Sequence, residues 1–257
     1  MRIAVVALGS RGDVQPFIAL GKGLNQDGHA VRVVTHPNFE TLVRANGLGF
    51  YPVRGDVQEV LDSEEMRDLL AKGNFIAITA YTSKAAKRAA LEWAEDGLAA
   101  CQGMELIMAG IGGLFSGLAL AEKLNIPLLQ AHLTPFTATS AFPSVLLPQS
   151  LARLGGFFNR QSHQLTRQII WQGSRSADNA ARQQVLGLAT TPFMGPYRSP
   201  RLNQLPILYG FSPSVIPKPA DWGSNTHVTG YWFLDVESDW TPPAALIDFL
   251  AAGAPPV

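Results

Sequence analysis

Cysteine is almost missing from this sequence, since Cys101 is the only one among 257 residues. A disulfide framework and a metal site built from cysteines are therefore excluded, and a single thiol fits the reducing cytoplasm. An excess of either charge is missing too, because lysine plus arginine and aspartate plus glutamate number 20 each. A protein with this balance has no basic field for nucleic acid, so no nucleic-acid partner is expected.

Long apolar runs and metal-binding patterns are also missing. Glycine, lysine or glutamate interrupts every apolar stretch well before about 18 residues, so no transmembrane helix is predicted. The apolar start IAVVALG (3–9) is too short for the core of a signal peptide. The five histidines show no spacing typical of metal ligands and no D-x-D motif is present, so no metal is expected. These exclusions predict a soluble cytoplasmic protein with enough apolar residues for a sizeable core.

Strands and helices alternate along the chain. An apolar run rich in β-branched residues at 2–8 predicts a buried strand, and a β-α-β-α-β pattern continues to residue 53. Right-handed crossovers make such a sheet parallel. Further strands are predicted at 105–110, 127–133, 205–212 and 227–233, with helices at 63–71, 74–103, 112–127, 150–172 and 174–187. The predicted fold class is α/β, a doubly wound and mostly parallel Rossmann-like sheet with helices on both faces.

The end of the chain predicts a boundary. Residues 1–241 are expected to form the Rossmann-like domain, and residues 242–257 a helix and a linker. The final GAPPV (253–257) follows a helix that ends at Gly253, and it is typical of the start of another strand. We therefore expect a following domain, and we expect the exposed interdomain face to self-associate where that domain is missing.

The turn after the first strand reads Gly9-Ser10-Arg11-Gly12-Asp13 and leads directly into a helix. The turn does not have the glycine spacing of the dinucleotide fingerprint, G-x-G-x-x-G, and the second strand ends in Thr35-His36, where that fingerprint needs an acid. The turn also lacks the lysine of a P-loop. A nicotinamide oxidoreductase is therefore disfavoured. The free N–H groups of the helix still suit a phosphate, with Ser10 and Arg11 as further donors. For Asp13 the spacing leaves two interpretations open, a helix N-cap or a general base.

Five segments occur in a characteristic order: ALGSRGDVQPFIALGKGL (7–24), VVTHPNFETLV (33–43), AFPS (141–144), VTGYWFLD (228–235) and LIDFLAAGAPPV (246–257). Together they resemble family-28-like glycosyltransferases, which include sterol glucosyltransferases and bacterial enzymes that modify antibiotics, lipids and macrolides. The resemblance implies a GT-B architecture, in which two Rossmann-like domains face each other across a cleft. In such enzymes the N-terminal domain binds the acceptor and the C-terminal domain binds the nucleotide sugar. The chain would correspond to the N-terminal half.

The resemblance also implies roles for individual residues. Asp13 would be the catalytic base that takes the proton of an acceptor hydroxyl, and Ser10, Arg11 and Gly12 would contact the diphosphate of the donor. The position of His36 at the end of the second strand, at the same sheet edge, predicts by itself that it assists Asp13 or lines the acceptor site; the alternative is a histidine hydrogen-bonded in a loop. The expected acceptor-binding residues lie in or beside loops at the cleft: Phe75, Ile76, His132, Phe136 and Phe142. The alternative is ordinary core packing for the four apolar residues and a histidine hydrogen-bonded in a loop for His132.

The function hypothesis is an inverting hexosyltransferase. Its co-substrate is a nucleotide sugar, UDP-glucose by analogy with the family, and its acceptor is an apolar alcohol such as a sterol, lipid or polyketide; no other cofactor is expected. A C-terminal donor-binding domain is a necessary partner, so the chain alone is expected to be inactive. Peripheral contact with a membrane is compatible with an apolar acceptor. The alternative is a non-catalytic module that binds a lipid or a glycan.

Overall fold

A parallel sheet forms the centre of the molecule. The computed structural model describes residues 1–54, 63–71, 75–203, 205–234 and 241–254. In these ranges seven strands form one sheet in the order β3-β2-β1-β4-β5-β6-β7, and all neighbouring strands are parallel. The strands are β1 Arg2–Val6, β2 Ala30–Thr35, β3 Gly49–Pro52, β4 Leu106–Ala109, β5 Leu128–His132, β6 Ile207–Tyr209 and β7 Thr226–Val228. The predicted Rossmann-like sheet is confirmed, and its winding reverses between β1 and β4.

Helices connect the strands and cover both faces of the sheet. The α-helices are α1 Arg11–Gln26, α2 Glu40–Ala45, α3 Glu64–Ala71, α4 Phe75–Cys101, α5 Leu114–Leu124, α6 Gly156–Ala181, α7 Pro200–Asn203 and α8 Ala244–Ala251. Short 3₁₀ turns cover Pro37–Phe39 and Gln149–Leu154. Among the described residues, no helix combines the length and the apolarity that crossing a membrane requires.

The side chains of β1 alternate between two apolar cores. Ile3 and Val5 point to a core that includes Phe17 of α1, whereas Ala4 and Val6 point to a core that includes side chains of α4, α5 and α6. Because a strand that is covered on both faces can keep apolar residues at every position, β1 reads as a continuous apolar run.

The helices predicted at 150–172 and 174–187 are wrong in their division: after the 3₁₀ turn at Gln149–Leu154, α6 runs without a break through Gly173 to Ala181. A glycine costs an α-helix about 1 kcal/mol relative to alanine. The neighbouring Trp171 offsets this cost, since it is fully buried and its indole N–H donates to the carbonyls of Pro192 and Phe193. The helix continues into a π-helical turn at Arg182–Leu186, which ends at Gly187 with a φ of +64°.

The strand predicted at 227–233 is shorter than expected, because β7 ends at Val228. Gly230 adopts a φ of +86°, which turns the chain out of the sheet. Trp232 then lies over Gly210, where a Cβ would be 2.8 Å from the indole ring, and its ring contacts Phe17 edge-to-face at 5.7 Å between centroids.

Candidate functional site

Two loops meet at the carboxyl ends of β1 and β4, where the winding of the sheet reverses. The first loop joins β1 to α1 and carries the glycine-rich turn, and the second loop, Gly110–Gly113, joins β4 to α5. Open α/β sheets bind their ligands at this kind of crevice, because the two loops leave the sheet in opposite directions.

Asp13 is the third residue of α1, and its carboxylate is held by the residue before the helix. Ser10 is the N-cap residue, so the interpretation of Asp13 as the N-cap itself is corrected. Asp13 Oδ2 accepts hydrogen bonds from the backbone N–H of Ser10 at 2.9 Å and from the hydroxyl of Ser10 at 2.8 Å. Its other oxygen, Oδ1, accepts no hydrogen bond from the described residues. The carboxylate is therefore fixed through one oxygen only.

Gly9 makes this position of the carboxylate possible. Its φ is +133°, and a Cβ on Gly9 would lie 2.6 Å from Asp13 Oδ2. A residue with a side chain would be strained in its backbone and would displace the carboxylate.

The half-buried Asp13 lines a small cleft of about 70 Å³. We call it the Asp13 cleft; its walls are the ends of β1 and β5, the ring of Phe17 and the loop Gly110–Gly113. The glycines of that loop allow it to approach β1, because a Cβ on Gly113 would lie 2.7 Å from the carbonyl oxygen of Val6. The cleft has room for a few atoms beside the carboxylate and is too small for a whole acceptor.

A larger apolar cavity of about 320 Å³ adjoins the Asp13 cleft. We call it the helix cavity, because α4, α5 and α6 form its walls. Ile111 and Gly112 line both spaces, so the two are neighbours. Most residues of its walls are small, among them Ala86, Ala90, Ala94, Ser116, Ala119 and Gly173. Sequence reasoning missed this cavity, although the alanine-rich faces of α4 and α5 were a signal, since short side chains between helices leave space.

One carboxyl group lies in the wall of the helix cavity. Burial raises the pKa of Asp178 to about 6, and this effect exceeds the opposing effects of Arg182 and of a hydrogen bond with Thr191. The side chain of Arg182 itself is buried and pairs with Glu122 at 2.9 Å. The cavity is thus apolar with one weakly acidic group.

The residues predicted to contact the donor diphosphate lie where the first loop enters α1. Ser10, Arg11 and Gly12 are exposed. The guanidinium of Arg11 donates to Gln15 Oε1 at 2.8 Å, which keeps it at the surface of α1. Their contact with a diphosphate stays a prediction.

His36, which follows β2, and His132, the last residue of β5, are both buried. The ring of His36 packs against Trp93, which lines the helix cavity, at 6.1 Å between centroids, and His36 Nδ1 has no hydrogen-bond partner among the described residues. His132 packs against Phe136 and Tyr209, and burial together with Arg167 lowers its pKa to about 3. His132 is therefore neutral at physiological pH.

The predicted acceptor-binding aromatics do not line the two spaces in the part of the chain that the structure describes. Phe136 is buried under the guanidinium of Arg167, which lies 5.2 Å from the ring centroid. Phe142 is half-buried and lines a separate groove with Val215. Phe75 and Ile76 begin α4, but their side chains lie outside the described part of the structure. Acceptor contact by these residues stays a prediction.

The N-terminal part of the chain is similar to a known protein family. Residues 3–143 match the glycosyltransferase family 28 N-terminal domain. This match covers more than half of the chain. The chain belongs to this family. The matched segment contains the glycine-rich turn with Asp13, strands β2 to β5 and the loop Gly110–Gly113, so it includes every residue that lines the Asp13 cleft.

Curated relatives extend the similarity over nearly the whole chain. The sterol 3-beta-glucosyltransferase of Neosartorya fischeri is 37% identical over 257 residues, which cover 97% of this chain and 17% of that protein. The sterol 3-beta-glucosyltransferase of Cryptococcus neoformans var. neoformans is 36% identical over 260 residues, which cover 97% of this chain and 16% of that protein. The chain thus spans about a sixth of the length of these relatives.

Solved structures share the fold. The glycosyltransferase SsfS6 of Streptomyces sp. SF2575 superposes with a TM-score of 0.51 at 21% identity, over 84% of this chain and 52% of that one. The calicheamicin glycosyltransferase CalG4 superposes with a TM-score of 0.53 at 16% identity, over 94% of this chain and 55% of that one. The chain corresponds to about half of each, in agreement with the predicted half of a GT-B fold.

Proposed function

We propose that this chain is the acceptor-binding half of an inverting glycosyltransferase that transfers a hexosyl group from a nucleotide sugar, UDP-glucose, to a hydroxyl of an apolar acceptor of the sterol type. Membership of family 28 and the similarity to sterol 3-beta-glucosyltransferases support the reaction class. The observation that carries the proposal is the position of Asp13, a carboxylate fixed through one oxygen beside a cleft that adjoins an apolar cavity.

The two spaces suit two parts of one acceptor. An apolar ring system fits the small, apolar walls of the helix cavity, whose volume of about 320 Å³ lies at the lower end of ordinary ligand sites. The acceptor hydroxyl then reaches the Asp13 cleft past Ile111 and Gly112, which line both spaces.

Asp13 acts as the general base in this scheme. Ser10 holds Oδ2, so Oδ1 is available to accept the proton of the acceptor hydroxyl. The acceptor oxygen, as it loses its proton, attacks the anomeric carbon, the new glycosidic C–O bond forms, and the C–O bond to the diphosphate breaks on the opposite face. The nucleoside diphosphate leaves with the electron pair of that bond, and the configuration at the anomeric carbon is inverted. A positioned base of this kind contributes about 10²–10⁴ in rate.

The donor needs a partner domain. The exposed start of α1 offers hydrogen-bond donors to a diphosphate, namely its N–H groups and the side chains of Ser10 and Arg11. We propose that a C-terminal donor-binding domain holds the nucleotide and forms the second side of an interdomain cleft. The chain is inactive without that domain.

The first prediction concerns Asp13→Asn in the complete gene product. The amide cannot accept a proton, so kcat should fall about 10²–10⁴-fold with UDP-glucose and a sterol panel. The melting temperature should change little, because the amide oxygen still accepts hydrogen bonds from Ser10. Asp27→Asn at the far end of α1 is the matched control. Full turnover by Asp13→Asn would reject Asp13 as the base. Sterol binding without transfer by the wild type, under all donors tested, would identify a lipid- or glycan-binding module.

A further inference from the structure

A polar cavity of about 270 Å³ lies between the first half of α6 and the strands β5, β6 and β7. We call it the arginine cavity, because Arg160 and Arg167 of α6 are in its wall. None of the described residues that line it also lines the Asp13 cleft or the helix cavity. It is therefore a separate space, and the scheme proposed for sugar transfer does not use it.

One face of α6 presents hydrogen-bond donors to this cavity. Arg160, Gln164 and Arg167 follow one another at intervals of four and three residues, which places them on the same side of the helix. The side chains of Arg160 and Gln164 are exposed, and neither forms a hydrogen bond or an ion pair with the described residues. Their N–H groups are therefore available to a ligand in the cavity.

Arg167 is half-buried, and its guanidinium lies between two aromatic rings. Its Cζ is 5.2 Å from the ring centroid of Phe136 and 5.5 Å from that of Tyr197. Nη2 donates to the carbonyl of Phe136 at 3.1 Å, whereas Nε is buried without a hydrogen-bond partner among the described residues. Stacking occupies the faces of a guanidinium but leaves the N–H groups at its edge unsatisfied.

No carboxylate of the described residues pairs with this guanidinium. Asp221 is in the wall of the arginine cavity, but Thr139 and Ser140 occupy its oxygens. Oδ1 accepts from the hydroxyl of Thr139 at 2.6 Å, and Oδ2 accepts from the backbone N–H and the hydroxyl of Ser140 at 2.7 and 3.0 Å. With two arginines and one aspartate, the described wall keeps an excess of positive charge. Buried charges in proteins are normally paired, so an anion is missing from this site.

We infer that the arginine cavity binds a small molecule that carries a phosphate group. Guanidinium groups bind phosphate oxygens through pairs of N–H donors, and two arginines match the double charge of a phosphate monoester better than the single charge of a carboxylate. The side-chain amides of Gln164 and Asn225 also line the cavity and have no partners among the described residues, so they suit hydroxyl groups on the rest of the ligand. The volume of about 270 Å³ leaves room for such a polar remainder.

One aromatic pair separates this site from the proposed acceptor site. Tyr197 in the wall of the arginine cavity contacts Phe115, which lines the helix cavity, at 6.2 Å between ring centroids. The inference stands on the two arginines and the polar walls, and it does not need the glycosyltransferase reaction.

The second prediction is tested by isothermal titration calorimetry of the complete gene product with inorganic phosphate. Saturating UDP is present throughout, so that the proposed donor site is already filled. Wild type should show saturable phosphate binding and should bind acetate at least about tenfold more weakly. Arg167→Gln should weaken phosphate binding at least about tenfold, and Arg160→Gln should weaken it about threefold or more, since its side chain is exposed.

The matched control is Arg153→Gln, which removes the same charge from an exposed arginine before α6 and should leave phosphate binding unchanged. Arg167→Lys keeps the charge without the planar fork, so its affinity should lie between those of wild type and Arg167→Gln. If Arg167→Gln lowers the melting temperature, the exposed Arg160→Gln decides.

Three outcomes would overturn the inference: no saturable phosphate binding by wild type, an equal loss in Arg153→Gln, or equal affinity for acetate. Asp13→Asn should bind phosphate as wild type does, so the failure of this inference and the failure of the proposed function are distinguishable.

Discussion

The carboxylate of Asp13 belongs to the helix start and to the cleft at the same time. Its Oδ2 satisfies the backbone N–H and the hydroxyl of Ser10, which stabilises the first turn of α1. Its Oδ1 accepts no hydrogen bond from the described residues, so the same carboxylate offers one oxygen to the cleft. Structural and catalytic interpretations of this residue are therefore compatible.

Asp178 is a second carboxyl group whose surroundings set its behaviour. Its pKa in the folded protein, about 6, lies above the ordinary value of 3.8 because of burial. The folded protein therefore binds this proton more tightly than the unfolded chain does. The stability that results is present in full below pH 3.8 and is lost as the pH rises through 6.

The third prediction follows for Asp178→Asn. An asparagine carries no charge at any pH, so the variant should lose the part of the pH dependence that comes from this group. Relative to wild type, its free energy of unfolding should rise by about 2–3 kcal/mol between pH 4 and pH 7. Denaturant unfolding at several pH values measures this difference, with the exposed Asp27→Asn as control. Parallel pH profiles for Asp178→Asn and wild type would contradict the assignment.

Glycines in the loop Gly110–Gly113 and in helix α1 differ in whether their surroundings leave room for a side chain. Gly113 is required for space, because the carbonyl of Val6 lies where a methyl group would be. Gly23 lies inside α1 with nothing within 4 Å of the place where a methyl group would stand, so no contact explains it. Only the first glycine positions the site.

The fourth prediction compares one substitution in these two elements. Gly113→Ala should lower the free energy of unfolding by about 1–3 kcal/mol, because the loop must move away from β1. Gly23→Ala should raise it by about 0.5–1 kcal/mol, because alanine favours the helix. Equilibrium denaturation of both variants measures the two effects. A neutral Gly113→Ala would mean that the loop does not pack on β1 as described.

The helix cavity depends on the assembly of three helices around the sheet. Its walls come from segments about 90 residues apart, since Ala86 of α4 and Gly173 of α6 both line it. A large side chain added to one wall should therefore affect binding to the cavity with little effect on the fold, provided that the added atoms enter open space.

The fifth prediction uses Gly173→Leu for this purpose. Nothing lies within 4 Å of a Cβ at Gly173, and leucine favours a helix, so the melting temperature should stay the same or rise. The added side chain should occupy part of the cavity and raise the KM for the proposed sterol-type acceptor about tenfold or more. Gly23→Leu on α1 is the matched control. An unchanged KM for every acceptor would separate the helix cavity from acceptor binding, while leaving Asp13 to its own test.

Residues close together in sequence carried most of the information about the architecture. The continuous apolar run of β1 indicated a strand covered on both faces, because such a strand keeps apolar residues at every position. The alternation of strands and helices to residue 53 indicated parallel pairing, because right-handed crossovers join neighbouring parallel strands. The glycine-rich turn placed Asp13 at the start of α1. The break expected at Gly173 was wrong, because local helix propensity did not include the neighbouring Trp171, which is buried and donates to the carbonyls of Pro192 and Phe193.

The amino-acid sequence alone determined the fold class, the family and the position of Asp13 at a sheet edge, since each follows from short segments read in order. Tertiary structure alone decided that β4 lies beside β1, that Gly110–Gly113 closes against the Asp13 turn and that α4, α5 and α6 leave an apolar cavity next to it. These features join segments about 100 residues apart, and their geometry depends on side-chain volumes summed over several helices. No local pattern contains that sum, so the folded chain had to supply it.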